Sequence, residues 1–188
     1  MRNKWFVAYK KRGKDLFDTE GFKLIDPPQG TYQADPFVFS KEGERKLFIE
    51  DYDYSLGKLS VYNLDAEGKP TSLQTVMEGD YHFSYPFIFD YQGETWLVPE
   101  TGKHGSIDLY KCDVFPHKWS KVKTLIQAPG YDSTLFEKDG KLWMFTTLGD
   151  DHDLAIFYAD DLLGDWSLHS RSRHLWSRSA GKLFYHEG

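Results

Sequence analysis

Four carboxylate side chains recur at fixed distances from short polar turns, and they are the residues best suited to chemistry. Asp35 and Asp132 each lie eight residues before a glycine, whereas Glu50 and Glu100 each lie seven residues after one. Carboxylates accept hydrogen bonds from sugar hydroxyls, and pairs of them act as acid and base in glycoside hydrolysis. The spacing therefore indicates a carbohydrate site, provided that the fold brings these positions together.

The glycines belong to a repeat of strand, turn and strand. Gly43, Gly93 and Gly140 each separate two apolar runs, Gly188 follows a fourth such run, and the spacings are 50, 47 and 48 residues. A phenylalanine lies four residues before each glycine, at Phe39, Phe89, Phe136 and Phe184. A fixed period near 50 residues made of short strands is typical of β-propeller blades.

Each repeat predicts four strands, and the third ends in a tyrosine at Tyr62, Tyr110 and Tyr158. The run that ends at Tyr9 matches this third strand, so the chain begins with the outer half of a closing blade. The predicted division is 1–30 for those outer strands, 31–79 for blade 1, 80–127 for blade 2, 128–174 for blade 3, and 175–188 for the start of blade 4. Because the ring does not close, the sequence predicts either a longer chain or an oligomer formed through the open edge.

In a propeller, the start of the innermost strand and the end of the next strand share one face of the disc. The position eight before each glycine holds Asp35, Tyr85, Asp132 or Ala180, and the position seven after holds Glu50, Glu100 or Thr147. His82 and Ser84 precede the second hairpin, and Arg178 precedes the fourth. We expect these side chains to converge on one mouth of the central channel. An acid before a strand is also a common turn opener, so a structural role for the two aspartates stays open.

Composition narrows the classes of partner and cofactor. The net charge of −6 argues against nucleic acid and against anionic membranes, which both favour basic surfaces. The only cysteine, Cys112, excludes an internal disulfide, and the scattered histidines predict no metal site and no cofactor. The apolar run near the start is too short for a signal peptide or a membrane span, which predicts a cytoplasmic protein without direct membrane insertion.

Several segments carry a resemblance to a known family: 34–37 (ADPF), 47–50 (LFIE), 81–87 (YHFSYPF), 98–100 (VPE), 157–166 (FYADDLLGDW) and 178–181 (RSAG). They resemble the five-bladed propellers of glycoside hydrolase family 43. The similarity is closer to the glucosamine inositolphosphorylceramide transferase N-terminal-like domain, a propeller of plant glycosyltransferases and of bacterial proteins linked to surface polysaccharides. The resemblance spans nearly the whole chain and implies an all-β, five-bladed propeller that is incomplete here.

The resemblance also implies roles for individual residues. In the hydrolases an aspartate that opens the first blade is the general base, and Asp35 matches it. A second aspartate in the third blade orients the substrate and tunes the acid, and Asp132 matches that residue. The general acid of the fourth blade has no carboxylate counterpart near Arg178. Glu100 is the candidate replacement, with Arg178 holding an anionic sugar or phosphate.

We therefore predict a glycoside-hydrolase-like propeller domain that binds or processes a glycan in surface polysaccharide metabolism. The predicted catalytic residues are Asp35, Asp132 and Glu100, and the predicted substrate-binding residues are Glu50, His82, Ser84, Tyr85 and Arg178. One alternative is a non-catalytic module that recognises a glycan or nucleotide sugar for a partner glycosyltransferase. Another is an interaction scaffold that uses the face of the disc.

Overall fold

The computed structural model describes residues 5–11, 13, 18–149, 153–172, 178 and 181–183. In this part of the chain the secondary structure is almost entirely β, with one 3-10 helix at Gly102–His104. The strands are β1 (Ala8–Tyr9), β2 (Lys23–Leu24), β3 (Tyr32–Lys41), β4 (Glu44–Tyr52), β5 (Gly57–Leu64), β6 (Pro70–Met77), β7 (Ser84–Tyr91), β8 (Glu94–Glu100), β9 (Ile107–Val114), β10 (Lys118–Ile126), β11 (Gly130–Lys138), β12 (Lys141–Leu148), β13 (Asp153–Ala159) and β14 (Ser167–Leu168). No helix in the described ranges has the length and hydropathy needed to cross a membrane.

Three four-stranded sheets follow one another along the chain, and each pairs its strands in chain order. They are β3-β4-β5-β6, β7-β8-β9-β10 and β11-β12-β13-β14, with antiparallel neighbours, while β1 and β2 form a separate pair. The predicted all-β fold is confirmed. Most of the predicted fourth repeat, including Ser179, Ala180, Phe184 and Gly188, lies outside the described residues.

Tight two-residue turns join the first two strands of each sheet. Both central residues have positive φ: Glu42 and Gly43 (51° and 83°), Gln92 and Gly93 (51° and 80°), and Asp139 and Gly140 (54° and 72°). Two positive φ angles in succession define a type I′ turn, whose twist matches that of the flanking strands. The second position favours glycine, and this explains why the glycines mark the repeat.

The core lies between successive sheets. Phe48, Ile88, Leu97 and Met144 are fully buried within one large apolar cluster that spans the three sheets. Alternate residues of β4 point the other way, and Leu47 and Ile49 join a second cluster with the N-terminal strands. Each buried side chain of this size contributes about 1.5–3 kcal/mol to stability. Packing on both faces therefore fixes the sheets relative to one another, and this fixes the positions of the strand ends.

Candidate functional site

One backbone feature recurs at the start of each four-stranded sheet, eight residues before the turn glycine. Asp35, Tyr85 and Asp132 have φ angles of 49°, 43° and 52°, in the left-handed region. At each of them the pairing of the first two strands shifts register, as in a β-bulge. A bulge redirects the local side chain away from the regular alternation of a strand. The three equivalent positions that the sequence repeat predicts therefore share one unusual conformation.

The strand register places acidic side chains directly beside these bulges. Ala34 pairs with Glu50, and Ser84 pairs with Glu100, so the end of each second strand lies opposite the start of the first. This antiparallel register is the reason why residues 16 positions apart in sequence become neighbours in both sheets. Burial of the strands on either side holds the two glutamates at the same end of their sheets.

The structure brings all eight predicted site residues to one cavity of about 610 Å³. They are Asp35, Glu50, His82, Ser84, Tyr85, Glu100, Asp132 and Arg178. This volume lies within the range of about 300–1,000 Å³ that is usual for small-molecule sites. Thr147, which was expected at the same mouth, is buried and does not line the cavity. The catalytic and binding roles of the eight residues remain predictions.

His82 holds Glu50 through a chain of hydrogen bonds that begins at the backbone. The backbone N–H of Gly57 donates to Nδ1 of His82 at 2.9 Å, and Nε2 of His82 lies 3.0 Å from Oε1 of Glu50. Because Nδ1 accepts a hydrogen bond, the proton is on Nε2, which donates to the carboxylate. A Cβ at residue 57 would lie 2.5 Å from Cε1 of His82, so this arrangement requires glycine there.

Arg178 lies between two carboxyl groups on the opposite wall. Its Nε donates to Oδ2 of Asp132 at 2.6 Å, and its Nη2 lies 3.4 Å from Oε2 of Glu100. The backbone N–H of Asp132 donates to the same Glu100 oxygen at 3.2 Å. The guanidinium, which was expected to hold an anionic ligand, thus contacts carboxylates of the protein itself.

Glu100 has an increased tendency to keep a proton. Burial raises its pKa, and the nearby carboxylate of Asp132 raises it further, whereas the guanidinium of Arg178 acts in the opposite direction. A protonated carboxyl group in a cavity can donate a proton to a ligand oxygen. Glu100 therefore has the property required of a general acid.

Asp35 titrates close to neutral pH. Burial, followed by the carboxylates of Glu50 and Asp132, raises the pKa of Asp35 from 3.8 to about 6. The backbone N–H of Tyr85, which donates to its Oδ2 at 3.1 Å, and the more distant guanidinium of Arg178 limit this rise. At pH 7 the group is therefore mostly ionised, and it can accept a hydrogen bond or a proton.

Tyr85 connects the sheets beneath the cavity. Its hydroxyl lies 2.7 Å from Oγ1 of Thr134 in the third sheet and accepts a hydrogen bond from the backbone N–H of Gly181 at 2.8 Å. The side chain is almost fully buried. Tyr85 therefore links the second sheet to the third and to Gly181, in addition to lining the site.

Sequence analysis did not predict three of the residues that build the site, Trp5, Tyr32 and Thr134. Trp5 and Tyr32 line the cavity. Trp5 is positioned by its backbone carbonyl, which accepts a hydrogen bond from Gln33 at 3.4 Å. The available signal was that Trp5 directly precedes the run that ends at Tyr9, which the repeat matches to a third strand. Within the described residues, no three His, Cys, Asp or Glu side chains are grouped to hold a metal ion.

Comparison with protein families identifies the family of this domain. Residues 27–188 match the family described as "Glucosamine inositolphosphorylceramide transferase 1, N-terminal". The chain belongs to this family. The curated relatives named glucosamine inositolphosphorylceramide transferase 1 include one from Oryza sativa subsp. japonica, 33% identical over 181 residues that cover 86% of this chain and 24% of the relative. A second, from Arabidopsis thaliana, is 27% identical over 177 residues, which cover 84% and 22%. The chain thus spans about a quarter of the length of these relatives.

Solved structures confirm the predicted propeller architecture of this transferase N-terminal family member. A GH43 β-1,3-galactosidase matches 94% of this chain and 44% of its own, with a TM-score of 0.70 and 14% identity. The exo-β-1,3-galactanase of Phanerochaete chrysosporium with galactose matches 79% and 40%, with a TM-score of 0.66 and 12% identity. At such low identity the similarity shows the fold alone. The fold is that of the GH43 β-propellers, and the described sheets are compatible with an incomplete ring.

Proposed function

We propose that the cavity of this propeller binds a glycan. The family and the fold indicate a carbohydrate-related role, and one observation supports a site for it. Four carboxylates, an imidazole and a guanidinium from separate strands and loops converge on a single cavity of about 610 Å³. Sugars present many hydroxyl groups, which need both acceptors and donors at short range.

The arrangement of charges suits a hydroxyl-rich ligand. Asp35 and Glu50 on one wall are acceptors, while Arg178 on the other wall offers donors beyond its contacts with the protein. The phenol of Tyr32 adds an aromatic face beside the carboxylates. Aromatic rings pack against the C–H faces of sugar rings, which makes such a wall useful for orientation.

A second candidate function, hydrolysis of a glycosidic bond, is favoured by the raised pKa of Glu100. In an inverting reaction the carboxylate of Asp35 would accept a proton from water, and the water oxygen would form the new bond to the anomeric carbon. The bond to the leaving oxygen would break as Glu100 transfers its proton to that oxygen. Asp132 and Arg178 would hold Glu100 in place.

Binding and turnover are tested on the same protein preparation. The 188-residue chain is applied to a glycan array, and the affinities of the glycans that bind are measured by calorimetry. Asp35→Asn should lower affinity at least about tenfold, the loss expected when one charge-assisted hydrogen bond is removed, and Glu100→Gln should lower it about fivefold, the loss expected for one neutral hydrogen bond. Asp139→Asn is the matched control, because Asp139 has a similar left-handed backbone but lies in a turn away from the cavity.

The two candidate functions predict different results. Binding without release of reducing sugar supports recognition, and release that stops in Glu100→Gln supports hydrolysis. If no glycan binds, or if both variants bind as well as the unchanged chain, the proposed function is wrong. An unchanged Asp139→Asn variant shows that the assay reports on the cavity.

A further inference from the structure

We call the cavity described above the acidic cavity, because Asp35, Glu50, Glu100 and Asp132 line it. A second cavity of about 740 Å³ adjoins it. The two share Trp5, whose side chain is 62% exposed. The lining of the second cavity comes from residues 5–6, 24–31 and 54, and it includes Trp5, Asp26, Gln29, Thr31 and Tyr54. We call it the outer groove. The acidic cavity and the outer groove therefore meet at Trp5.

Three tyrosines connect the two parts, and we refer to Tyr32, Tyr52 and Tyr54 as the tyrosine wall. Tyr32 lines the acidic cavity and Tyr54 lines the outer groove, and their ring centroids are 5.6 Å apart in an edge arrangement. Tyr52 lies 4.8 Å from Tyr32 and 5.8 Å from Tyr54, and 5.5 Å from the ring of His82. Mutual packing therefore fixes the aromatic surface that leads out of the acidic cavity.

We propose that the outer groove is a second sugar subsite, so that the ligand of this propeller is an oligosaccharide of two or more residues. The inference rests on the proposed function, and it extends that function from one sugar ring to a chain. The first ring occupies the acidic cavity, the chain passes Trp5, and the next ring packs in the outer groove beside Tyr54.

The size and the lining of the outer groove support a sugar occupant. Each of the two cavities alone has the volume of a complete small-molecule site, about 300–1,000 Å³, so together they exceed the needs of one ring. The groove combines flat aromatic surface with polar side chains, Asp26, Gln29 and Thr31. Such a mixture matches a sugar ring, which has apolar C–H faces and a polar edge. A groove for a purely hydrocarbon group would have no use for these polar side chains.

The test compares ligands of increasing length. Calorimetry on the 188-residue chain would use galactose, β-1,3-galactobiose and β-1,3-galactotriose, the corresponding arabinose and xylose series, and octyl β-galactoside. The inference predicts that affinity rises about fivefold or more from one residue to two in the series that binds, because an additional stacked ring contributes about 1 kcal/mol. Trp5→Ala should remove this gain, so that one and two residues bind with about equal affinity; the ratio of the two affinities is the readout, because Trp5 lines both cavities.

Trp5→Ala is suitable because the side chain is exposed and its structural hydrogen bond uses the backbone carbonyl. Trp5→Phe keeps a flat face and should retain most of the gain. Phe22→Ala is the matched control, because Phe22 is an aromatic residue of the same N-terminal region, 48% exposed, that lines neither cavity.

Each other result overturns the inference in a distinct way. Equal affinity for one and two residues leaves glycan binding in place but removes the second subsite. A gain that survives Trp5→Ala places the additional ring elsewhere. A gain for octyl β-galactoside without one for the disaccharide assigns the groove to an apolar group. Failure of all the sugars to bind refutes the proposed function itself, and the inference with it.

Discussion

Replacing Asp35 with asparagine should stabilise the folded chain at neutral pH, although it removes a residue of the proposed site. The folded environment raises the pKa of this carboxyl group to about 6 from 3.8, first through burial and then through Glu50 and Asp132. Asparagine has nearly the same shape, tolerates a φ of 49°, and keeps an oxygen that accepts the N–H of Tyr85. The substitution therefore removes the charge with little change in geometry.

The direction of the effect on stability follows from the order in which the folded and the unfolded chain lose the proton of Asp35. At about pH 3, well below both pKa values, the carboxyl group is mostly protonated in the folded and the unfolded chain, so its charge makes little difference to stability. Between about pH 4 and 6 the unfolded chain ionises first, and the free energy of unfolding of the unchanged protein falls. The pKa difference corresponds to at most about 3 kcal/mol, and solvent in the open cavity reduces this to about 1.5 kcal/mol. For a chain of this length, that is a rise in Tm of about 3–6 °C.

The assay is thermal unfolding of both chains in a series of buffers from pH 3 to pH 8. The Tm of Asp35→Asn should match that of the unchanged chain at pH 3 and exceed it from pH 6 upward. Asp53→Asn is the control, because the N–H groups of Leu56 and Ser55 lower the pKa of Asp53, and its removal should not stabilise at any pH. An Asp35→Asn variant that is equally or less stable at pH 7, or a gain independent of pH, would refute this account of the site.

Three further substitutions test the supports of the cavity by urea unfolding. Arg178→Met should lower the free energy of unfolding by about 1–2 kcal/mol at pH 8 and by less at pH 5, because burial raises the pKa of Glu100 and this carboxyl group gains a proton as the pH falls; an equal loss at both pH values would contradict this. Tyr85→Phe should lower the free energy of unfolding by about 1–3 kcal/mol, because Thr134 and the N–H of Gly181 lose a hydrogen bond. Tyr91→Phe is the control and should leave this free energy nearly unchanged, because the hydroxyl of Tyr91 contacts Asp161 in an exposed pair. Gly57→Ala should lower the free energy of unfolding by about 1–3 kcal/mol, because the added Cβ would overlap the ring of His82. The NMR shifts of His82 should change as well. Unchanged shifts would be evidence against the hydrogen-bond chain from Gly57 through His82 to Glu50.

The repeat was predictable because it depends on local chemistry. A type I′ turn needs positive φ at two residues, and the glycines at 43, 93 and 140 reveal that need in the sequence itself. The distance from each turn to the strand ends follows from strand geometry, so positions eight before and seven after could be placed on one mouth. For the same reason all eight predicted site residues line one cavity.

The contacts between sheets could not be predicted in the same way. Thr134 touches the hydroxyl of Tyr85, and Trp5 reaches the cavity, only because separate sheets pack at a particular distance and angle. The partners of Arg178 depend on the same packing, since Glu100 and Asp132 come from different sheets. Spacing along the chain contains no information about these distances. Sequence analysis could therefore assign the residues of the site but not the pairs that they form.

The left-handed bulge at Asp35, Tyr85 and Asp132 has a consequence for how such a domain diversifies. The backbone forms the bulge, so the side chain at this position is not needed for strand pairing. In each repeat this side chain lines the shared cavity instead. The position holds an aspartate in two repeats and a tyrosine in the other, so it accepts different functional groups. A descendant could acquire a new ligand preference by exchanging a single residue per repeat, with asparagine, aspartate and glycine as the easiest replacements at positive φ. Duplicated hairpins would thus supply one adjustable position per repeat around a shared cavity.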